Sequence, residues 1–138
     1  MTARRTCCLA LVLACVSTAF IQGCPRQERE PVESTSASGN VIVTQPQPND
    51  VVSSPVTVRG RARVFEAALS GRVVTDTGRE LGIAHFMTSA GAPEFGDYDA
   101  RISFTRPAGV SSGFVEVFTY SAKDGSVQDL VRIPVRFR

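Results

Sequence analysis

From residue 40 to the C-terminus the chain is written in short runs of Val, Ile, Phe and Thr, each closed by Gly, Pro, Asn, Asp or Ser. Within most runs polarity alternates with period two, the mark of strands with one dry and one wet face. Val56, Val58, Ala62 and Val64 fall on one side, and Thr57, Arg59, Arg61 and Arg63 on the other. Val131, Ile133, Val135 and Phe137 alternate in the same way with Arg132, Pro134, Arg136 and Arg138, and Ile102 and Phe104 with Arg101 and Ser103. The run "FVEVFTY" is less regular: Phe114, Phe118 and Tyr120 share a side with Glu116, while Val115 and Val117 take the other. Apolar residues on both sides predict a central strand covered on both faces. About seven strands with turn signals at even spacing predict an all-β fold, an antiparallel β-sandwich. No window predicts a helix; "FEAALSGR" comes nearest, and Gly71 with the β-branched run behind it cuts it short.

The first 39 residues have a different texture. Arg4 and Arg5 precede the apolar run "TCCLALVLACV", which is shorter than the roughly 18 to 20 residues that cross a bilayer as a helix. That layout predicts a cleaved secretory signal over residues 1–23. "FIQGC" then resembles the lipobox of bacterial lipoproteins, through Ile21, Gly23 and Cys24, with Gln22 less usual. The resemblance implies a Cys24 thiol carrying lipid and a chain cut just before it; two or three acyl chains make a lasting anchor where one does not. The alternative is an ordinary thiol beside a cleavage site. In a cell with two membranes, Pro25 in place of an inner-membrane-retaining aspartate points to the outer one. Residues 25–39, "PRQEREPVESTSASG", hold too little apolar surface to offset their ordering entropy and predict a tether. The domain reading is therefore signal 1–23, lipidated cysteine and tether 24–39, and sandwich 40–138.

Processing also changes composition. The chain carries 15 basic and 13 acidic residues, and loss of Arg4 and Arg5 leaves it neutral. Neutrality removes the bulk attraction that nucleic acid or anionic headgroups favour, so no nucleic-acid partner is expected. Cys7, Cys8 and Cys15 leave with the signal, so Cys24 has no partner for an internal disulfide. A domain of about a hundred residues buries enough surface to fold without one.

Candidate chemistry is sparse. "GVSSG", 109–113, fits the nucleophile-elbow pattern at Ser111, but that motif needs a helix after it, and the only histidine, His85, precedes the serine. A polar hairpin turn accounts for it better. His85 has no cysteine or second histidine with which to hold zinc. Asp97 and Asp99 share a strand face but fall short of the six to eight oxygens of a calcium site. Neither a metal nor a cofactor is expected. Arg59, Arg61 and Arg63 form the most pointed surface feature. Charges about 6.6 Å apart on a strand repel by only about 0.6 kcal/mol in water, so the ladder stands without an anion. Glu116 or Asp129 would be its cross-strand acids, and an acidic partner or cell-wall polymer its ligand if it has one. At Phe65 and Glu66 the expectation is structural, a packed ring and a carboxylate accepting backbone donors. At Lys123, Asp124 and Gly125 it is a tight hairpin with Gly125 at positive φ.

Taken with its motifs, the chain resembles the immunoglobulin-like domain of bacterial spore germination proteins, the second Gmad type. The resemblance runs through Ser54, Pro55, Val56, Val58, Gly60, Ala62, Phe65 and Glu66, then Gly96, Tyr98, Ile102 and Phe104, and last Ser121, Lys123, Asp124, Gly125, Ser126, Ile133, Pro134 and Val135. It implies an immunoglobulin-like antiparallel β-sandwich on the outside of a bacterial cell with no enzymatic activity. It does not carry germination with it, nor the inter-sheet disulfide and tryptophan of antibody domains, since the domain has neither residue. The functional expectation is a non-catalytic lipoprotein, held to a bacterial membrane through Cys24, whose domain binds or scaffolds an envelope protein or cell-wall polymer. Its rivals are a serine hydrolase using Ser111 and a purely structural envelope protein.

Overall fold

The seven runs become seven strands of five to eleven residues, and two strands of two residues join them. The computed structural model describes residues 30–138; Cys24, with the expected signal and residues 25–29 of the expected tether, lies outside them. In chain order the strands are β1 (Ser34–Thr35), β2 (Val41–Gln45), β3 (Val51–Val52), β4 (Val56–Ala62), β5 (Ala68–Thr75), β6 (Glu80–Met87), β7 (Gly96–Ile102), β8 (Ser112–Tyr120) and β9 (Val127–Phe137). A single 3-10 turn, Phe65–Ala67, stands between β4 and β5. Among the described residues no helix is long and apolar enough to cross a membrane.

Two sheets face each other, one ordered β1-β2-β4-β7 and the other β3-β9-β8-β5-β6. Neighbours are antiparallel except β3 beside β9. The alternation read from the sequence sets the inner faces. Val56, Val58, Ala62, Val64 and Ile102 are buried from one sheet, and Val131, Ile133, Val135 and Phe137 from the other. Among the described residues the core lies within residues 41–137, so the described segment has a hydrophobic core of its own around which to fold.

The predicted tether is shorter than expected. Ser34 and Thr35 pair with Val43 and Ile42, and Ser36 is buried, its N–H donating to Val41 O and its Oγ accepting from Val41 N–H. Backbone pairing needs no apolar side chain, which is why composition missed it.

The central strand is β8, as its two-sided apolar pattern predicts. Val115 and Val117 face the core; Glu116 and Phe118 face outward, yet both are buried. The outer face explains this. Arg72, Glu116 and Arg132 lie side by side across β5, β8 and β9. Arg72 Nε donates to Glu116 Oε2 at 2.6 Å and Arg132 Nε approaches Oε1 at 3.3 Å. The two guanidinium groups lie over aromatic rings, Arg72 on Phe118 at 4.9 Å and Arg132 on Phe114 at 3.9 Å, so their stems roof a carboxylate that would otherwise face water.

Glu116 is thus no partner of the arginine ladder, which sits on the other sheet. The ladder's acids are different ones: Arg59 Nε meets Asp99 Oδ2 at 2.8 Å, and Arg61 Nη2 approaches Glu33 Oε2 at 3.8 Å. Asp99 and Asp97 stand opposite Arg59 and Arg61 in the β4–β7 register. The two aspartates that fell short of a calcium site therefore stand opposite the ladder. Asp129, the other expected neighbour, accepts instead from Ser38 Oγ and, at 3.5 Å, from Asn40 Nδ2.

Candidate functional site

Residues 63–67 carry the chain from one sheet to the other, and both Val64 and Leu69 must enter the core, where they are 3% and 2% exposed. Meeting both demands in so few residues puts Glu66 at φ 53° and Ala67 at φ 57°. Left-handed values cost a residue with a Cβ about 1–2 kcal/mol each. The turn is held from behind by backbone bonds: Ala67 N–H and Ala92 N–H both donate to Val64 O, and Thr88 N–H donates to Ala67 O at 2.9 Å. These bonds, not the Glu66 carboxylate, close it.

Phe65 then has nowhere to pack. Its ring is 68% exposed, although burying it would gain about 1.5–3 kcal/mol. The expectation of a packed ring is therefore corrected: the crossing spends its inward positions on Val64 and Leu69, and Phe65 is left outside. Unfavourable backbone and unfavourable exposure thus coincide at one turn.

Phe65 and Tyr120, the latter 46% exposed, form a ridge between two grooves at this pole of the sandwich. One, of about 390 Å³, is lined by Asn40, Arg63, Phe65, Tyr120, Gln128 and Asp129 among others. The second, of about 440 Å³, runs past Glu66, Ser70, His85 and Met87, and Met87 is also 68% exposed. Phe118 meets Tyr120 edge to face at 5.2 Å and steadies the ridge from beneath. In the first groove Arg63 Nη2 donates to Asn40 Oδ1 at 3.2 Å and its guanidinium lies 5.1 Å from the Phe95 ring centroid. Arg61 shares that ring from 5.9 Å, but Arg63 is the one member of the ladder that lines either groove.

The catalytic alternative does not assemble. His85 sits across from Ser70, its Nδ1 2.8 Å from Ser70 Oγ. Ser70 pairs with Phe118, six residues along β8 from Ser112, which puts Ser111 about 20 Å away. A strand, not a helix, follows Ser111. Ser70 is itself 3% exposed, at the wall of the second groove. Among the described residues no group of three or more His, Cys, Asp or Glu is gathered to hold a metal.

A sequence model for the immunoglobulin-like domain of bacterial spore germination, Gmad2, matches residues 40–126. The chain belongs to the Gmad2 family. No curated protein and no solved structure matches it. The residues that carried the resemblance in the sequence divide into two groups in space. Val56, Val58, Ala62, Ile102, Ile133 and Val135 fill the core. Phe65 and Glu66 stand at the pole, and the turn Ser121–Ser126 begins where the second groove ends. Sequence reasoning missed Tyr120, Met87, Asn40 and Gln128; the exposed Met87 at the end of an otherwise tidy strand was the available signal.

The Ser121–Ser126 turn is built as expected. Gly125 takes φ 71°, its N–H donating to Ser121 O, and Ser121 N–H donates to Ser126 O. Asp124 Oδ1 accepts from Ser126 Oγ at 2.7 Å and from Ser126 N–H at 3.1 Å. These bonds, that from the Ser126 hydroxyl first, hold the Asp124 carboxyl below its usual 3.8. A depressed carboxylate contributes stability that is whole above the unfolded value and is lost as pH falls through the folded one. The Ser126 amide resonance is accordingly expected to titrate with a midpoint below 3.8, and to lose that titration in Asp124→Asn. An ordinary aspartate midpoint would remove the cap.

Proposed function

We propose that this chain is a non-catalytic cell-envelope lipoprotein, held to a bacterial membrane by lipid on Cys24, whose Gmad2 domain binds an envelope partner, protein or cell-wall polymer, at the Phe65 pole. The observation that carries the reading is Phe65 itself, 68% exposed on a turn with two left-handed residues. Exposed Phe, Tyr and Met with a polar rim is the composition of an interface centre. The arginine ladder enters at one point only, through Arg63, because Arg59 and Arg61 are occupied by Asp99 and Glu33.

Affinity capture from envelope extract and pelleting with purified peptidoglycan test the pole, using residues 30–138. Phe65→Ala is expected to weaken retention at least tenfold, the loss typical of a central aromatic, with the melting temperature unchanged or raised. Equal retention by wild type and Phe65→Ala would remove the pole as the binding site. Fatty-acid labelling of the full chain tests the anchor separately. Label lost in Cys24→Ser is the expected result, and label absent from the wild type refutes it.

A further inference from the structure

A β-sandwich with open sheets has edges, and exposed edges pair with other chains unless something prevents it. Three of the four edges here are guarded. β1 is two residues long. Along β7 the outward side chains are Asp97, Asp99 and Arg101, all exposed. The outer side of β9 carries Arg132 and Pro134, a register shift opposite Val117–Thr119, Asp129 at φ 54°, and the short β3 over its end.

The fourth edge, β6, has such devices only at its start, where it carries Glu80 and a register shift between Glu80 and Gly82. Leu81 to Met87 reads L-G-I-A-H-F-M, without a Lys, Arg, Asp, Glu or Pro. Its backbone parity follows from its ends. Thr88 N–H turns inward to Ala67 O, and Leu81 O turns outward to accept from Thr105 N–H at 3.2 Å. Alternation between those points aims the N–H and C=O of Ile83, His85 and Met87 away from β5. The 103–105 segment covers the Leu81 end only. Beyond it Ile83 is 40% exposed and Met87 68%.

We infer that this edge takes the same edge of a second copy, antiparallel and centred on His85, the midpoint of the free stretch. The pattern is self-complementary. About that centre Ile83 lies opposite Met87 of the second copy, His85 opposite its counterpart, and all three free N–H and C=O pairs of each strand find partners. No like charges meet, and the two five-stranded sheets become one across a two-fold axis. The paired backbone edge is distinct from the Phe65–Tyr120 ridge, although His85 and Met87 also line the second groove.

Sedimentation velocity and amide spectra of residues 30–138, from micromolar to millimolar concentration, test this. The expected result is a concentration-dependent dimer, with the Ile83, His85 and Met87 amides moving together. Ile83→Lys is expected to weaken dimerisation at least tenfold without lowering the melting temperature, and Phe65→Ala to leave it unchanged. The segment contains no cysteine, so a short bis-maleimide reports the register: His85→Cys is expected to cross-link and Arg101→Cys, on the β7 edge, not to. A chain that stays monomeric at millimolar concentration overturns the inference. So do a dimer that Ile83→Lys leaves intact, one abolished by Phe65→Ala, and equal cross-linking from both edges.

Discussion

Gly60→Ala is expected to destabilise the domain by about 3 kcal/mol or more, lowering the melting temperature by roughly 12 °C or more. A Cβ at this position in β4 would fall 2.0 Å from Ile42 O and 2.6 Å from Tyr98 Oη. The first of these is backbone of the neighbouring strand, which cannot step aside as a side chain can. The second belongs to a ring only 5% exposed, whose hydroxyl donates to Ile42 O at 2.9 Å, and burial pushes that phenol's ionisation well above its ordinary range. Alanine must therefore part β2 from β4 or evict Tyr98, and either opens the core. Tyr98→Phe alone is expected to cost about 1–2 kcal/mol, since it leaves a carbonyl inside without its donor. The double variant should lose less than the sum, because both changes act on the same contact. Thermal circular dichroism decides it, and a melting point within a few degrees of wild type for Gly60→Ala would sink the account.

Glu116→Ala carries the second large effect, about 2–4 kcal/mol in denaturant unfolding. The carboxylate is 5% exposed and holds two guanidinium groups that are 30% and 45% exposed. Its removal leaves a void and brings two like charges together over Phe114 and Phe118. Breaking a fully buried pair costs about 3–5 kcal/mol; partial access of both arginines to water lowers the figure here. Glu116→Gln, which keeps the shape and one acceptor, should lose about half as much. Replacing the pair together, Arg72→Met with Glu116→Leu, is expected to be nearly neutral, as apolar substitutes for ion pairs often are. A Glu116→Ala protein within about 0.5 kcal/mol of wild type, the usual range for an unremarkable surface change, would mean that the row contributes nothing.

Much of this architecture is legible in one dimension and some is not. The seven long strands, the central place of β8 and the turn at Gly125 follow from local chemistry: alternation, two-sided apolar character and a residue free to take positive φ. The acids of the arginine ladder were misplaced because cross-strand neighbours depend on which strands adjoin. β4 lies beside β7, so Asp97 and Asp99 face the ladder, while Glu116 serves Arg72 and Arg132 on the other sheet. The Phe65 ring was expected to pack for the same kind of reason. Its hydrophobicity is local, but the space available to it is set by Val64 and Leu69 entering the core from two different sheets.

Alternation alone was enough to tell which side of β4, β7 and β9 meets the core, because successive side chains point to opposite faces whatever the strand's neighbours are. Which residues meet across that framework is a matter of the three-dimensional arrangement: the roofed Glu116, the outward Phe65 on its left-handed turn, and the open Ile83–Met87 stretch of the β6 edge. Those depend on sheet order and on the crossing between sheets, where contacts join residues far apart in the chain and no local pattern records them.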